Sequence, residues 1–237
     1  LISGIVLTHA HEDHIGALPF LLKEVNAPVF GTPFTLGVVR HKLEEYDTSV
    51  PGGLHEIHPG EQLKLGSFRL EFIQVGHSVV DGVGLAIRTP LGLIVHTGDF
   101  KISHSVGDGL ATDVGRFAQC GESGVLALLS DSTNIEKEGY TISAREIRNK
   151  LAEIIDRSNG RIIIALFSSN INRIQHIVNI ASERGKKIVF NGRSIEVAVN
   201  LARDLGYLHI PEGMDIDINE VNQYPDDEII IRSTIDL

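Results

Sequence analysis

His9-Ala10-His11-Glu12-Asp13-His14 places four metal-ligand side chains within six positions, directly after the apolar residues 1–7 (Leu1-Ile2-Ser3-Gly4-Ile5-Val6-Leu7). The apolar run reads as a buried strand, so the cluster sits at a strand end. Two histidines two apart at such an end point to the same side and can share one ion. Asp13 and His14, at the turn into a helix, can reach a second ion a few ångströms away. Neutral imidazoles and carboxylates suit zinc, and manganese or iron less often. Ions paired about 3.5–4 Å apart suit displacement at phosphorus, because they stabilise the attacking and leaving oxygens together. The alternative is a polar loop that caps a helix, with Asp13 as the N-cap. Four ligand-type residues so closely spaced argue against it.

Working outward, Ile15, Leu18, Leu21, Leu22 and Val25 recur at helical spacing and predict one helix, with Pro19 in its first turn or at a kink. Residues 63–99 alternate with period two and read as successive hairpins. Leu63 and Leu65 face Phe68, Leu70 and Phe72 across Gly66-Ser67, and Val83, Leu85 and Ile87 lead through Pro90-Leu91-Gly92 to Leu93-Ile94-Val95. A further apolar run, residues 125–129, ends in Ser130-Asp131-Ser132-Thr133-Asn134. Polar side chains thus gather repeatedly at strand ends. His77 and Asp99 are two of them. Each alone reads as an ordinary histidine or a turn residue. A histidine cluster, then a lone histidine, then an aspartate, all at strand ends, changes that reading.

From about residue 141 the texture shifts. Ser143-Ala144-Arg145-Glu146 is a capping box opening a helix that Gly160 should end. Strands are predicted at 161–167, 187–190 and 228–232, and helices near 172–184 and 194–205. Alternating strands and helices imply a parallel α/β layer. Two domains follow, 1–140 and 141–237. There are no internal repeats or low-complexity linkers, and no Gly-x-Gly-x-x-Gly supports dinucleotide binding.

At 237 residues the chain is long enough for one large domain or two modest ones. Its formal net charge of −10 runs against capture of nucleic acid by a generally basic surface. Bound divalent ions would add local positive charge at one site. A single cysteine, Cys120, excludes an intramolecular disulfide and a thiolate-rich cluster, which fits a reducing cytosol. No secretory signal is visible in residues 1–25, and no apolar run approaches the roughly 20 residues that span a bilayer.

The successive segments resemble the zinc motifs of the metallo-β-lactamase superfamily. That resemblance implies an αββα sandwich in which His9, His11 and His77 hold one zinc, Asp13 and His14 hold a second, and Asp99 bridges both. Manganese or magnesium are the alternative ions. Asp13 would also orient the attacking water. Ser130-Asp131-Ser132-Thr133-Asn134 resembles motif A of the β-CASP branch, where Asp131 would assist proton transfer; its local alternative is an Asx-type turn. The segments 167–175, 191–194 and 205–213 look like those of an inserted parallel α/β β-CASP domain in bacterial ribonuclease J. The family implies a cytoplasmic zinc-dependent enzyme, dimeric or tetrameric. It cuts RNA phosphodiester bonds internally and, in the 5′-to-3′ direction, from a 5′-monophosphorylated end. Ser169, Asn170 and Arg173, at a helix N-terminus, are candidates for RNA phosphate, or else simply a cap beside a solvated arginine. The family also has strands before Leu1 and later motifs B and C, which include the last histidine ligand of the second zinc. Nothing here matches those motifs, and Ile235-Asp236-Leu237 departs from the pattern. Two other functions compete: a two-zinc hydrolase of β-lactams or thioesters, which the α/β segment argues against, and an inactive truncated module.

Overall fold

The computed structural model describes residues 2–102, 111–139 and 142–234. Leu1, His104, the expected boundary at 140–141 and Ile235-Asp236-Leu237 lie outside the described residues. Two compact units are present, one built from 2–102 with 111–139 and the other from 142–234.

In the first unit, β1 (Ile5–Val6), β2 (Val29–Gly31) and β3 (Leu54–Glu56) form a parallel sheet in that order. The second sheet runs β4 (Gln62–Leu65), β5 (Phe68–Gln74), β6 (Val83–Thr89), β7 (Gly92–His96) and β8 (Ala127–Leu129). Its first four strands pair antiparallel, as the alternation predicts, and β8 joins β7 in parallel.

Successive side chains on a strand face opposite ways, and this sequence buries residues on both faces of its two sheets, although the edge strand β8 stays exposed. Ile5, Leu7 and Val29 pack with Leu18 and Leu22 of α2 (Leu18–Glu24) and with Leu36, Val39 and Leu43 of α3 (Pro33–Glu45). Val6 and Phe30 turn the other way, toward Leu63, Phe72, Val83, Leu85 and Ile87 of the second sheet. On the far side of that sheet Ile73, Ala86, Leu93 and Val95 meet Phe117 and Cys120 of α4 (Val114–Glu122). The layers therefore run helix, sheet, sheet, helix, an αββα sandwich.

The single helix predicted after the histidine cluster is two. The short α1 (Glu12–Ile15) ends at Gly16, and α2 restarts with Pro19 in its first turn. An unbroken helix would set the proline ring against the carbonyl of residue 15, whereas the first turn needs no donor there. α3 and α4 have no counterpart among the sequence expectations.

The second unit opens with α5 (Ala144–Arg157), whose Ser143–Glu146 capping box is formed. The helix ends at Arg157, ahead of Gly160. β9 (Ile162–Leu166), β10 (Lys187–Asn191) and β11 (Ile229–Thr234) make a parallel sheet in the order β10-β11-β9. α6 (Ile171–Glu183) and α7 (Arg193–Asp204) are the intervening helices. Among the described residues no helix is long and apolar enough to cross a membrane.

Arg232 breaks the apolar pattern of the central strand. It is fully buried; one guanidinium nitrogen donates to Leu166 O and Phe167 O, each at 2.7 Å, while Nε and the other terminal nitrogen have no partner among the described residues. Burial alone lowers its pKa to about 10. A half-satisfied buried charge is worse than an apolar side chain of similar volume. Arg232→Ile should therefore raise the stability of this chain by roughly 1–4 kcal/mol, read as a higher urea midpoint. A lower midpoint would show that the two carbonyl bonds outweigh the desolvation.

Candidate metal centre

Strand direction gathers the polar loops at one edge. β5 and β7 both run antiparallel to β6, and β8 runs parallel to β7, so the carboxyl ends of β5, β7 and β8 lie on the same side. The residues that follow them are His77, Asp99 and Asp131. The first sheet joins at Thr8, whose carbonyl accepts from Val83 N–H at 2.9 Å, at the start of β6. This junction is tight. Gly98 sits at φ 58°, and a Cβ there would lie 2.8 Å from Val83 O and 3.4 Å from Thr8 Cβ. Only glycine combines that backbone with that approach.

At this edge His9, His11, His77 and Asp99 present ligand atoms all within 4.8 Å of one another. His11 Nδ1 lies 3.0 Å from His9 Nε2 and 3.1 Å from His77 Nε2. Nitrogens bound about 2.0–2.1 Å from one tetrahedral zinc would stand about 3.3 Å apart, so the three rings are nearly at that spacing. Asp99 divides its carboxylate: Oδ2 is 3.7 Å from His9 Nε2 and 3.6 Å from His77 Nε2, while Oδ1 is 3.4 Å from His14 Nε2. His14 Nε2 also lies 3.5 Å from Asp13 Oδ2. Asp13 is well exposed and does not cap α1; the N-cap is His11, which makes no capping bond.

The donor set fits a cation. Burial, reinforced by His14, His11 and His77, lowers the His9 pKa to about 2, and burial is also the main reason His11 and His77 are lowered. Neutral imidazoles keep a lone pair for a metal. The far ring nitrogens have hydroxyl partners, which can accept an N–H there and so leave the facing nitrogen's lone pair for a metal. His9 Nδ1 stands 3.1 Å from Thr8 Oγ1, which is also 3.4 Å from His14 Nδ1, and His11 Nε2 stands 3.2 Å from Ser78 Oγ. Such partners orient metal-binding histidines. Neither Thr8 nor Ser78 was singled out by the sequence reading, although each adjoins a predicted ligand.

Asp81 closes the far end of the loop carrying His77. It is buried at φ 52°, a conformation aspartate tolerates, and accepts from Thr32 Oγ1 at 2.8 Å and Phe34 N–H at 2.9 Å. Asp131 donates its N–H to Thr97 Oγ1 at 3.0 Å. Burial acts to raise its carboxyl pKa. Hydrogen bonds from the Thr133 hydroxyl and N–H and from Phe100 N–H, with the proximity of His77, outweigh that and lower it. The Asx-type turn is thus formed, and the carboxylate is held ionised near His77. Ser169, Asn170 and Arg173 lie in the second unit at the start of α6, where Asn170 Oδ1 caps Arg173 N–H at 3.1 Å.

Residues 1–122 match the model of the β-lactamase superfamily domain, and residues 159–235 match that of the ribonuclease J β-CASP domain. The chain belongs to the β-lactamase superfamily. It is 44% identical to ribonuclease J of Helicobacter pylori strain 26695 over 98% of its length, covering 34% of that relative. Ribonuclease J of Thermus thermophilus is 42% identical over 98% of the chain, and ribonuclease J2 of Bacillus subtilis 168 is 39% identical over 97%. The chain covers 42% and 41% of those two. A crystallised protein of unknown function from Enterococcus faecalis V583 shares the fold, with a TM-score of 0.66 at 15% identity over 98% of this chain and 58% of its own. The histidine–aspartate cluster offers a ligand set that could hold a metal ion.

The depressed imidazoles make stability depend on pH in a definite sense. Their folded pKa values lie below the ordinary 6.5, so the unfolded chain binds more protons in acid. The stabilisation is complete above pH 6.5 and is lost as pH falls below it. His9 alone should remove about 1.4 kcal/mol for each pH unit below 6.5. Urea titrations of the chelator-treated chain above and below that pH measure this; equal midpoints would contradict the buried neutral assignment.

Proposed function

We propose that this chain carries the metal centre and part of the RNA-contacting surface of a zinc-dependent ribonuclease. The observation that carries this reading is Asp99, whose two carboxylate oxygens face different histidine groups. His9, His11, His77 and Asp99 Oδ2 would hold one ion; Asp13, His14 and Asp99 Oδ1 would hold the other. Bound divalent ions supply Lewis acidity at phosphorus and lower the pKa of water. Asp13, largely exposed, is free to orient the attacking water. Asp131, ionised beside His77, serves as a proton acceptor. Residues 1–140 form the metallo-β-lactamase domain and residues 141–237 part of the β-CASP domain. There, Ser169, Arg173 and the first-turn N–H groups of α6 take an RNA phosphate, while the Asn170 side chain serves the cap. On this reading the whole protein is cytoplasmic, assembles as a dimer or tetramer, and acts on 5′-monophosphorylated RNA from the end and internally. The names ribonuclease J and ribonuclease J2 on the relatives described support the ribonuclease part of this reading.

Metal content of the purified chain, together with cleavage of a 5′-monophosphorylated RNA with and without chelator, tests the proposal. Two zinc ions per chain and chelator-sensitive cleavage are expected. Asp99→Ala should lose metal and reduce cleavage at least about a hundred-fold, with the fold retained. Wild-type metal content and cleavage in that variant would sink the bridging role. Faster turnover of a chromogenic β-lactam than of RNA would move the assignment to another hydrolase of the superfamily.

A further inference from the structure

The second sheet supplies two of the clustered ligands on separate loops, residues 75–82 with His77 and residues 97–102 with Asp99. Distances within the cluster depend on how these loops are held together. A closed ring of three hydrogen bonds joins them. Lys101 donates its backbone N–H to Gly76 O at 2.7 Å. Gly76 donates its own N–H to Thr112 Oγ1 at 2.9 Å, and that hydroxyl donates to Lys101 O at 2.8 Å. Thr112 thus uses both its acceptor and its donor on backbone groups, one residue before His77 and two after Asp99.

The hydroxyl is itself held in place. Gln74 Nε2 donates to Ala111 O at 2.8 Å, and Asp113 N–H donates to Gln74 O at 3.0 Å, tying the chain on both sides of Thr112 to the end of β5. Asp113 then caps α4 by accepting from Arg116 N–H at 2.8 Å. A β-branched side chain has few rotamers, so its hydroxyl direction follows from the backbone.

We propose that Thr112 is a positioning residue for the metal centre, its hydroxyl coupling the His77 loop to the Asp99 loop. This rests on the reading of the cluster as a metal site. Thr112 touches no ligand side chain; it acts through the two backbone segments that carry them. Losing the hydroxyl leaves Gly76 N–H without its acceptor and lets the loops move relative to each other, so the ligands no longer meet at one point. Groups hydrogen-bonded directly to metal ligands typically change metal affinity 10–100-fold; Thr112 acts one step further out, so the lower end of that range is expected.

The test compares wild type, Thr112→Val and Thr112→Ser in the full chain. Valine keeps the volume and serine keeps the hydroxyl. Cobalt(II) affinity is measured by chelator competition, the visible spectrum of the cobalt-loaded chain is recorded, and the unfolding equilibrium is measured on the metal-free chain. Thr112→Val should weaken cobalt binding about ten-fold or more and alter the visible bands, and Thr112→Ser should restore both. Unchanged affinity and spectrum in Thr112→Val would overturn the proposal. So would an affinity loss matched by an equal fold-change in metal-free unfolding, since that would be a general stability effect. Should Thr112→Val fail to fold, Thr112→Cys, with a weak thiol in place of the hydroxyl, carries the same expectation. Failure of the wild type to bind cobalt at all would instead overturn the metal reading of the cluster.

Discussion

His11 Nδ1 faces the Nε2 atoms of both His9 and His77 at hydrogen-bond distance, with Asp99 beside them. One ring nitrogen cannot satisfy two others at once when the rings are neutral, because a single N–H can be shared with only one lone pair. Protonation would supply donors, but burial makes a charged His9 strongly unfavourable. A divalent ion resolves the conflict by accepting every lone pair. Much of the first unit serves this convergence. Parallel ends of β5, β7 and β8, the tight passage at Gly98, and the Thr8 and Ser78 partners all bring neutral imidazoles to one point.

That convergence was readable because its residues are chemically conspicuous and lie in order at strand ends. Alternation gave the hairpins from Leu63 to Val95, and the Ser143–Glu146 box marked α5. α3 was harder to read because its buried face includes Thr35 beside Phe34, Leu36, Val39 and Leu43, which blurs the division between polar and apolar sides. Its start did carry local signals, Thr32 followed by Pro33. The helix after the cluster kept a helical period across Gly16 and Ala17, and periodicity cannot show that the backbone bonding restarts there. Thr112 and Asp81 escaped altogether. Their bonds reach residues 36 and 47 positions away, a separation no local pattern records.

Charge makes a second demand. The chain carries −10 overall, and Asp13, Asp99 and Asp131 add negative charge at the edge where, on the proposed reading, a phosphodiester is cut. Without cations that edge would repel RNA. With divalent ions bound, the same carboxylates become ligands and acceptors, and the local field reverses sign. Substrate attraction and chemistry would then depend on the same ions, so metal loss should act on binding as well as on turnover.

Buried polar groups are treated unequally along the chain. Asp81 lies at a positive φ inside the first unit, yet both carboxylate oxygens receive donors from the start of α3, and the loop bearing His77 is held by them. Arg232 is less well compensated: two of its guanidinium nitrogens lack partners among the described residues, in a central strand where it pairs with the apolar Phe190 and Ile164. Polar burial that is matched donor for acceptor positions a loop, whereas polar burial that is half matched only weakens the sheet around it. By that criterion Asp81 belongs to the framework of the metal centre, and Arg232 is a local conflict within the second unit's sheet.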